Sequence, residues 1–185
     1  MKIVLLDAMN KDNNAANIIS RVLKERDNDL SRFVLESLNI QPCRSCGACG
    51  VVTPGKCVIN DDMQAILRGM ARCDVLIMLT PVRFGGYAME LKKAVDRFMP
   101  VGLPFYFVKG GHLLHPMRYQ KKFLLGIGIM EEPDKDQEKN FIELVAHNAL
   151  NFQLSHRSLL FMDSAGDELI GNEISNALKE VDSHE

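Results

Sequence analysis

Two apolar runs limit what this chain can fold into. Asp74–Thr80 (DVLIMLT) and Phe123–Met130 (FLLGIGIM) each read as a strand buried on both faces. Near-continuous apolar strands of this kind belong to parallel sheets covered by helices on both sides. The rest of the chain keeps the same rhythm. Ile3–Leu6 is a third apolar run, followed by a polar loop from Asp7 to Asn14. Ala16, Ile18, Ile19, Val22 and Leu23 then recur at helical spacing. Met63, Ile66, Leu67 and Met70 repeat that spacing after Asn60-Asp61-Asp62, a helix-capping sequence. A Gly85-Gly86 loop opens a further helix carrying Met89, Leu91, Ala94, Val95 and Phe98. A long amphipathic helix follows the acidic loop Glu131–Asp136, and Asp167–Val181 supplies the last one.

The pattern predicts one α/β domain over residues 1–185, a doubly wound sandwich. Its five parallel strands fall near residues 2–6, 32–37, 74–80, 122–129 and 157–163. Right-handed crossovers place helices on both faces. Two segments interrupt the pattern: a cysteine-rich loop at about 42–58 and an irregular insertion at about 100–120. In open sheets of this type ligands sit beyond the carboxyl ends of the strands. The loops beginning at Asp7, Thr80 and Met130, with Gly126 and Gly128 nearby, are therefore the ones to inspect.

A formal charge of -2 with scattered cations gives no basic stripe, which argues against nucleic-acid binding. No apolar run approaches the roughly 20 residues that cross a bilayer, and the N-terminus lacks the apolar core of a signal peptide. The expectation is a cytoplasmic protein whose cysteines are reduced, where clustered thiols bind metal or do redox work more often than they form disulfides.

Cys43, Cys46 and Cys49 are separated by two residues each, and Cys57 follows after seven more. Three thiolates this close can wrap one corner of a cubane, with the fourth closing it. Gly47, Gly50 and Gly55 would let the backbone turn and aim amides at the sulfurs. Four thiolates also satisfy tetrahedral zinc, although zinc more often uses two separated pairs. Four metal-free thiols are the third alternative. Cys73, at the mouth of a buried strand, reads as a small hydrophobe. His112 and His115 form either a metal or proton-transfer pair or, with no carboxylate or cysteine partner near them in sequence, surface or interface histidines.

Several stretches together resemble the iron–sulfur flavoprotein branch of the NADPH-dependent FMN reductase family. They are Cys43–Cys57 with Val58–Met63, Thr80–Gly86 (TPVRFGG) and Lys93–Arg97 (KAVDR). The likeness covers most of residues 1–100. It implies a flavodoxin-like fold, FMN at the carboxyl edge of the sheet, a four-iron four-sulfur cluster on the four cysteines, and subunits that associate. By that likeness Pro81, Val82, Arg83, Phe84, Gly85 and Gly86 hold the flavin ring, with Arg83 where an aromatic is usual. Met9, Asn10, Lys11, Asn13, Asn14 and Ala15 form the phosphate loop at a helix N-terminus. Gly126 and Gly128 complete the expected flavin contacts. The phosphate loop departs from the family pattern. Both hydroxyls expected to bond the phosphate are absent, and Asp7 adds a negative charge beside it.

Two functions follow. In the first, FMN and the cluster link a one-electron donor such as a ferredoxin, or NAD(P)H, to an acceptor, and no side chain is required as catalytic acid or base. In the second, the chain has lost FMN and keeps the cysteines as a zinc or iron–sulfur site in a structural or sensory role. Phe105-Tyr106-Phe107 and Leu113-Leu114, lacking an obvious core role, predict a homo-oligomer.

Overall fold

A computed structural model describes residues 1–10, 13–119 and 123–182 of the chain. Its central sheet is built from β1 (Lys2–Asp7), β2 (Asp29–Val34), β3 (Val75–Arg83), β7 (Phe123–Met130) and β8 (Ser155–Met162). These strands lie in the order β2-β1-β3-β7-β8, all parallel, as in flavodoxin-like folds. A sixth, two-residue strand, β4 (Gly86–Tyr87), folds back antiparallel on the end of β3.

Period-two alternation divides the strand side chains between two cores. Ile3, Leu5, Val75, Ile77, Leu125 and Ile127 face α1 (Ala15–Glu25) and α6 (Asp167–Asp182). Val4, Leu6, Leu76, Met78 and Leu124 face α3 (Met63–Arg72), α4 (Met89–Val95) and α5 (Lys135–Phe152). Each helix buries the stripe expected of it: Ile18, Ile19 and Leu23 on α1, Met63, Ile66, Leu67 and Met70 on α3, and Phe141, Val145 and Ala149 on α5. Asp134 caps α5, accepting from the amides of Asp136 and Gln137 at 3.0 and 3.1 Å. No helix among the described residues is long and apolar enough to cross a membrane.

The boundaries differ from expectation in instructive places. The second strand starts three residues earlier than expected and ends at Val34, where residues 35–37 make one tight 3-10 turn that buries Leu35. β2 is an edge strand with mixed exposure, so no apolar run marks it, and its position follows from pairing with β1. β3 runs beyond Thr80 to Arg83 because its last residues pair with β4, so Gly85-Gly86 shapes a hairpin and not a helix-opening loop. The insertion at 100–120 contains a second hairpin, β5 (Phe107–Lys109) and β6 (His112–Leu114), turning through Gly110 and Gly111. Lys122, expected to begin the fourth parallel strand, lies outside the described residues.

Candidate functional site

A cleft of about 670 Å³ opens at the carboxyl edge of the sheet. Met9, Asn10, Asn13, Asn14 and Ala15, on the loop from β1 into α1, form one wall. Pro81 and Arg83 at the end of β3, with Met89 and Glu90 at the start of α4, form another. Ile129 and Glu131 at the end of β7, and Met162 and Asp163 at the end of β8, close the far side. Lys11, expected to supply a donor here, lies outside the described residues.

Asn13 organises the first wall. Its Oδ1 accepts from the Ala15 amide at 2.8 Å, and its Nδ2 donates to Asp163 Oδ1 at 2.6 Å. The asparagine thus ties the start of α1 to the end of β8. Asn14 precedes α1 without a side-chain capping bond. The positive end of an eleven-residue helix is thereby turned toward the cleft.

Asp7 does not present its charge to this loop as the sequence suggests. It is 2% exposed and accepts from the Met9 amide, while Arg32 donates to its Oδ2 through both Nε and Nη2. The charge is neutralised beneath the loop. Other carboxylates do line the cleft: Glu36, Glu90, Glu131, Asp163 and Asp167. Three of them carry cationic partners, Glu90 with Lys93, Glu131 with Arg83 and Asp167 with Arg21. Arg83 therefore reaches across the mouth, its Nη1 donating to Glu131 Oε1 at 2.7 Å.

The remaining residues expected around the flavin ring divide. Val82 is buried in the core, and Phe84 is 97% exposed at a hairpin tip with φ of 51°. With Arg83 they border a smaller cleft of about 300 Å³ against Met130–Gln137. Gly85 donates its amide to Gln137 Oε1 at 3.1 Å, and Gly86 pairs with Arg83.

Gly126 and Gly128 do not line the larger cleft; they sit inside β7. A methyl group added to Gly126 would stand 2.5 Å from Val145, and one on Gly128 would stand 2.6 Å from Leu160 and 2.7 Å from Val82. Their missing side chains let α5 and the neighbouring strands close on the sheet. Thr80, which the sequence marks as the end of an apolar run and the start of a loop, also has a structural task. Its buried hydroxyl accepts from the Ala88 amide at 3.0 Å and so sets where α4 begins.

The cysteine loop leaves the same edge after β2. Its two ends are pinned together: the Asn39 amide donates to Asp62 Oδ2 and the Gln41 amide to Asp61 Oδ2, each at 2.8 Å. The two aspartates thus do more than cap α3, although Asp61 Oδ1 does accept from the Met63 amide. Ser45 and Gly47 adopt positive φ, which bends the chain between Cys43 and Cys49. The Ser45 amide points at Cys43 Sγ at 3.4 Å. Cys49 lies on a single helical turn, α2 (Ala48–Val51), and its carbonyl accepts from the Gly55 amide at 2.9 Å. Gln64 Nε2 donates to the carbonyls of Cys57 and Ile59.

Cys43 and Cys46 are exposed, and Cys49 and Cys57 half-buried. Burial pushes the Cys49 thiol above its usual range; Cys57, then Cys43 and Cys46, add to the rise against the effect of a backbone hydrogen bond. Among the described residues, no three Cys, His, Asp or Glu side chains are drawn up as ligands of one metal ion. Cys73 is buried beneath α3 as a small hydrophobe. His115 packs its ring 4.2 Å from that of Tyr106 and bonds the Leu103 carbonyl, while His112 is exposed.

One residue beside the loop was not legible as part of it. Arg97, 2% exposed, lies two residues past the end of α4. Its Nη1 donates to the Gln41 carbonyl at 3.0 Å and to Asp61 Oδ2, and its Nη2 reaches Cys57 Sγ and the Ile59 carbonyl, each at 3.4 Å.

Residues 1–122 match the sequence profile of the NADPH-dependent FMN reductase family. The chain belongs to that family. Two curated relatives of this FMN reductase family member are iron–sulfur flavoproteins. The one from Archaeoglobus fulgidus is 31% identical over 101 residues, 53% of this chain and 45% of that protein. The one from Methanosarcina thermophila is 36% identical over 90 residues, 47% of this chain and 46% of that protein. The match thus spans less than half the length of either relative. Among solved structures, the family member superposes on an NAD(P)H:quinone oxidoreductase from Methanothermobacter marburgensis with a TM-score of 0.62 at 12% identity, covering 99% of this chain and 98% of that one. It superposes on an azoreductase from Bacillus anthracis with a TM-score of 0.63 at 13% identity, covering 99% and 100%. At these identities the likeness establishes the fold.

Proposed function

We propose that the chain is an FMN-binding redox protein carrying a four-iron four-sulfur cluster on Cys43, Cys46, Cys49 and Cys57. It would work in electron transfer or NAD(P)H-dependent reduction. The observation that carries this reading is the common root of the two sites. Glu36 lies in the turn leading from β2 toward the cysteine loop, and it lines the cleft. The donor set suits the cluster, since four soft thiols lie on one loop with the Ser45 amide and the Arg97 guanidinium already directed at sulfur. The cleft suits a flavin, since it combines a helix N-terminus with apolar walls at Pro81, Met89, Ile129 and Met162.

A flavin takes one or two electrons and a cluster one, so the bound groups supply the electron chemistry. The chain binds and orients. Asn10, Asn13 and Asn14 with the N-terminus of α1 would hold the phosphate, and Arg32 neutralises Asp7. Pro81 and Met162 line the cleft and would offer apolar contact to the ring, while Arg83 donates to Glu131 beside them. A ferredoxin-like protein or NAD(P)H is the donor in this reading. Phe105, Tyr106 and Leu113, all exposed, offer a surface for subunit association.

The acidic lining of the cleft favours a second reading, in which FMN is lost and the thiols hold zinc or a cluster in a structural or sensory role. Purification without oxygen separates the two. Flavin absorption bands with iron and sulfide near stoichiometry support the first. Colourless protein containing zinc refutes it, and brown protein without flavin leaves the cluster alone. Under the first reading, C46S loses iron, keeps its fold and slows reduction of the flavin by a ferredoxin more than its direct chemical reduction by dithionite.

A further inference from the structure

Arg97 contributes one guanidinium to both ends of the cysteine loop and to one of its sulfurs. Gln41 lies before the first cysteine, and Ile59 and Asp61 lie after the last. The side chain comes from the segment after α4 and is almost wholly removed from solvent. Its Nη groups divide between carbonyls, a carboxylate and Cys57 Sγ, and its Nε is buried with no partner among the described residues. Placing a permanently charged, rotamer-rich side chain in the interior is costly unless every contact is used. A loop clamp alone would need only the carbonyls and Asp61. The reach to Cys57 Sγ at 3.4 Å is the contact that clamping leaves unexplained.

We infer that Arg97 is a positioning residue for the cysteine site, whose N–H···S bond to Cys57 orients that thiolate and raises the reduction potential of the cluster it ligates. The inference rests on the iron–sulfur reading above. Hydrogen bonds to a ligating sulfur and nearby positive charge both withdraw electron density, and so favour the more negative, reduced cluster. Burial strengthens the effect, because little water screens the guanidinium. Cys57, half-buried beside this guanidinium, thereby differs from Cys43 and Cys46, which are exposed.

The test compares the parent chain with R97Q and R97K, each reconstituted with iron and sulfide without oxygen. Iron per chain, the midpoint potential by redox titration and the Fe–S bands by resonance Raman in H2O and D2O are measured. The expected result is a lower midpoint potential in R97Q and loss of part of the deuterium-sensitive band shift. R97K is expected to recover only part of the potential, because a lysine cannot fork between Asp61 and Cys57. A merely structural role would lower iron content and leave the potential of the loaded fraction unchanged. Loaded R97Q titrating at the parent potential overturns the inference. If R97Q does not load, a 15N-arginine-labelled chain in an R44K, R118K background is used, since Arg118 also lies against the loop at Gly55. Nitrogen hyperfine coupling to the reduced cluster supports the contact, and its absence overturns it. A parent chain that takes up zinc and no iron defeats the functional reading itself, a distinguishable outcome.

Discussion

Arg32 closes over Asp7. Its Nε and Nη2 donate to Asp7 Oδ2 at 3.0 and 2.7 Å, and its Nη1 donates to Asn17 Oδ1 at 2.9 Å. One side chain on β2 thus joins the end of β1 to the first turns of α1, beneath the loop that faces the cleft. The carboxylate most at odds with phosphate binding is also the one most completely compensated.

Removing that compensation is expected to act on the phosphate first. R32M leaves Asp7 buried and unpaired. It is expected to weaken FMN by about tenfold, ~1.4 kcal/mol, while riboflavin, which lacks the phosphate, loses much less. Flavin-fluorescence titration of the apoprotein measures both. Equal losses would assign Arg32 to general stability.

The pair between Asp61 and Arg97 gives the loop a pH limit. Burial pushes the Asp61 carboxyl up, but bonds from Arg97, Gln41 and Met63 outweigh it and hold it below the usual range. A lowered folded-state value means that the stabilisation is complete above the unfolded value of about 3.9 and disappears as pH falls through the folded one. Hydrogen exchange over residues 39–62 is expected to be insensitive to pH-induced loosening from pH 7 to about 5, and to show loosening below about 4. D61N breaks a buried pair and is expected to cost about 3–5 kcal/mol in urea unfolding. Loosening that begins near pH 6 would point to a different group.

Thiol reactivity in metal-free, reduced protein follows exposure and charge. Exposed Cys43 and Cys46 are expected to alkylate first with iodoacetamide at neutral pH. Cys49 lags because burial, with its neighbouring cysteines, raises its thiol. Buried Cys73 reacts last. Peptide mass spectrometry over a time course reads the order, and early modification of Cys49 would contradict it.

Gly126 and Gly128 separate packing from cofactor binding. G126A and G128A place a methyl group against Val145, or against Leu160 and Val82, and are expected to destabilise the fold by about 1–3 kcal/mol. The folded fraction should bind flavin with parent affinity. A selective loss of flavin affinity at unchanged stability would return these glycines to the site.

Much of the fold was legible because β3 and β7 are buried on both faces and announce themselves as apolar runs. β2 was displaced because an edge strand borrows its register from β1, and pairing leaves no local signature. The cysteines were legible by spacing alone. Their supports were not: Arg97 and Asp61 are 36 residues apart, Arg32 and Asp7 are 25 apart, and such contacts exist only once the sheet has formed. Gly126 and Gly128 look the same in sequence whether they admit a ligand or a neighbouring helix. Only the position of Val145 and Leu160 decides between them.

The pinned ends of the cysteine loop make it a detachable cassette. Asn39 and Asp62 exchange two hydrogen bonds, and Gln41 meets Asp61 in a third, so the chain leaves and rejoins the body at nearly one point. Whatever lies between need not span any fixed distance. Lengthening it adds only a slowly growing closure cost, since each doubling of a flexible loop costs about 0.6 kcal/mol. The body can therefore host loops of different length and ligand spacing while β2 and α3 stay in place. A transplant from Asn39 to Asp62 that carries Arg97 with it is the smallest unit by which the four-cysteine loop and its buried support could be moved to another sheet of this topology.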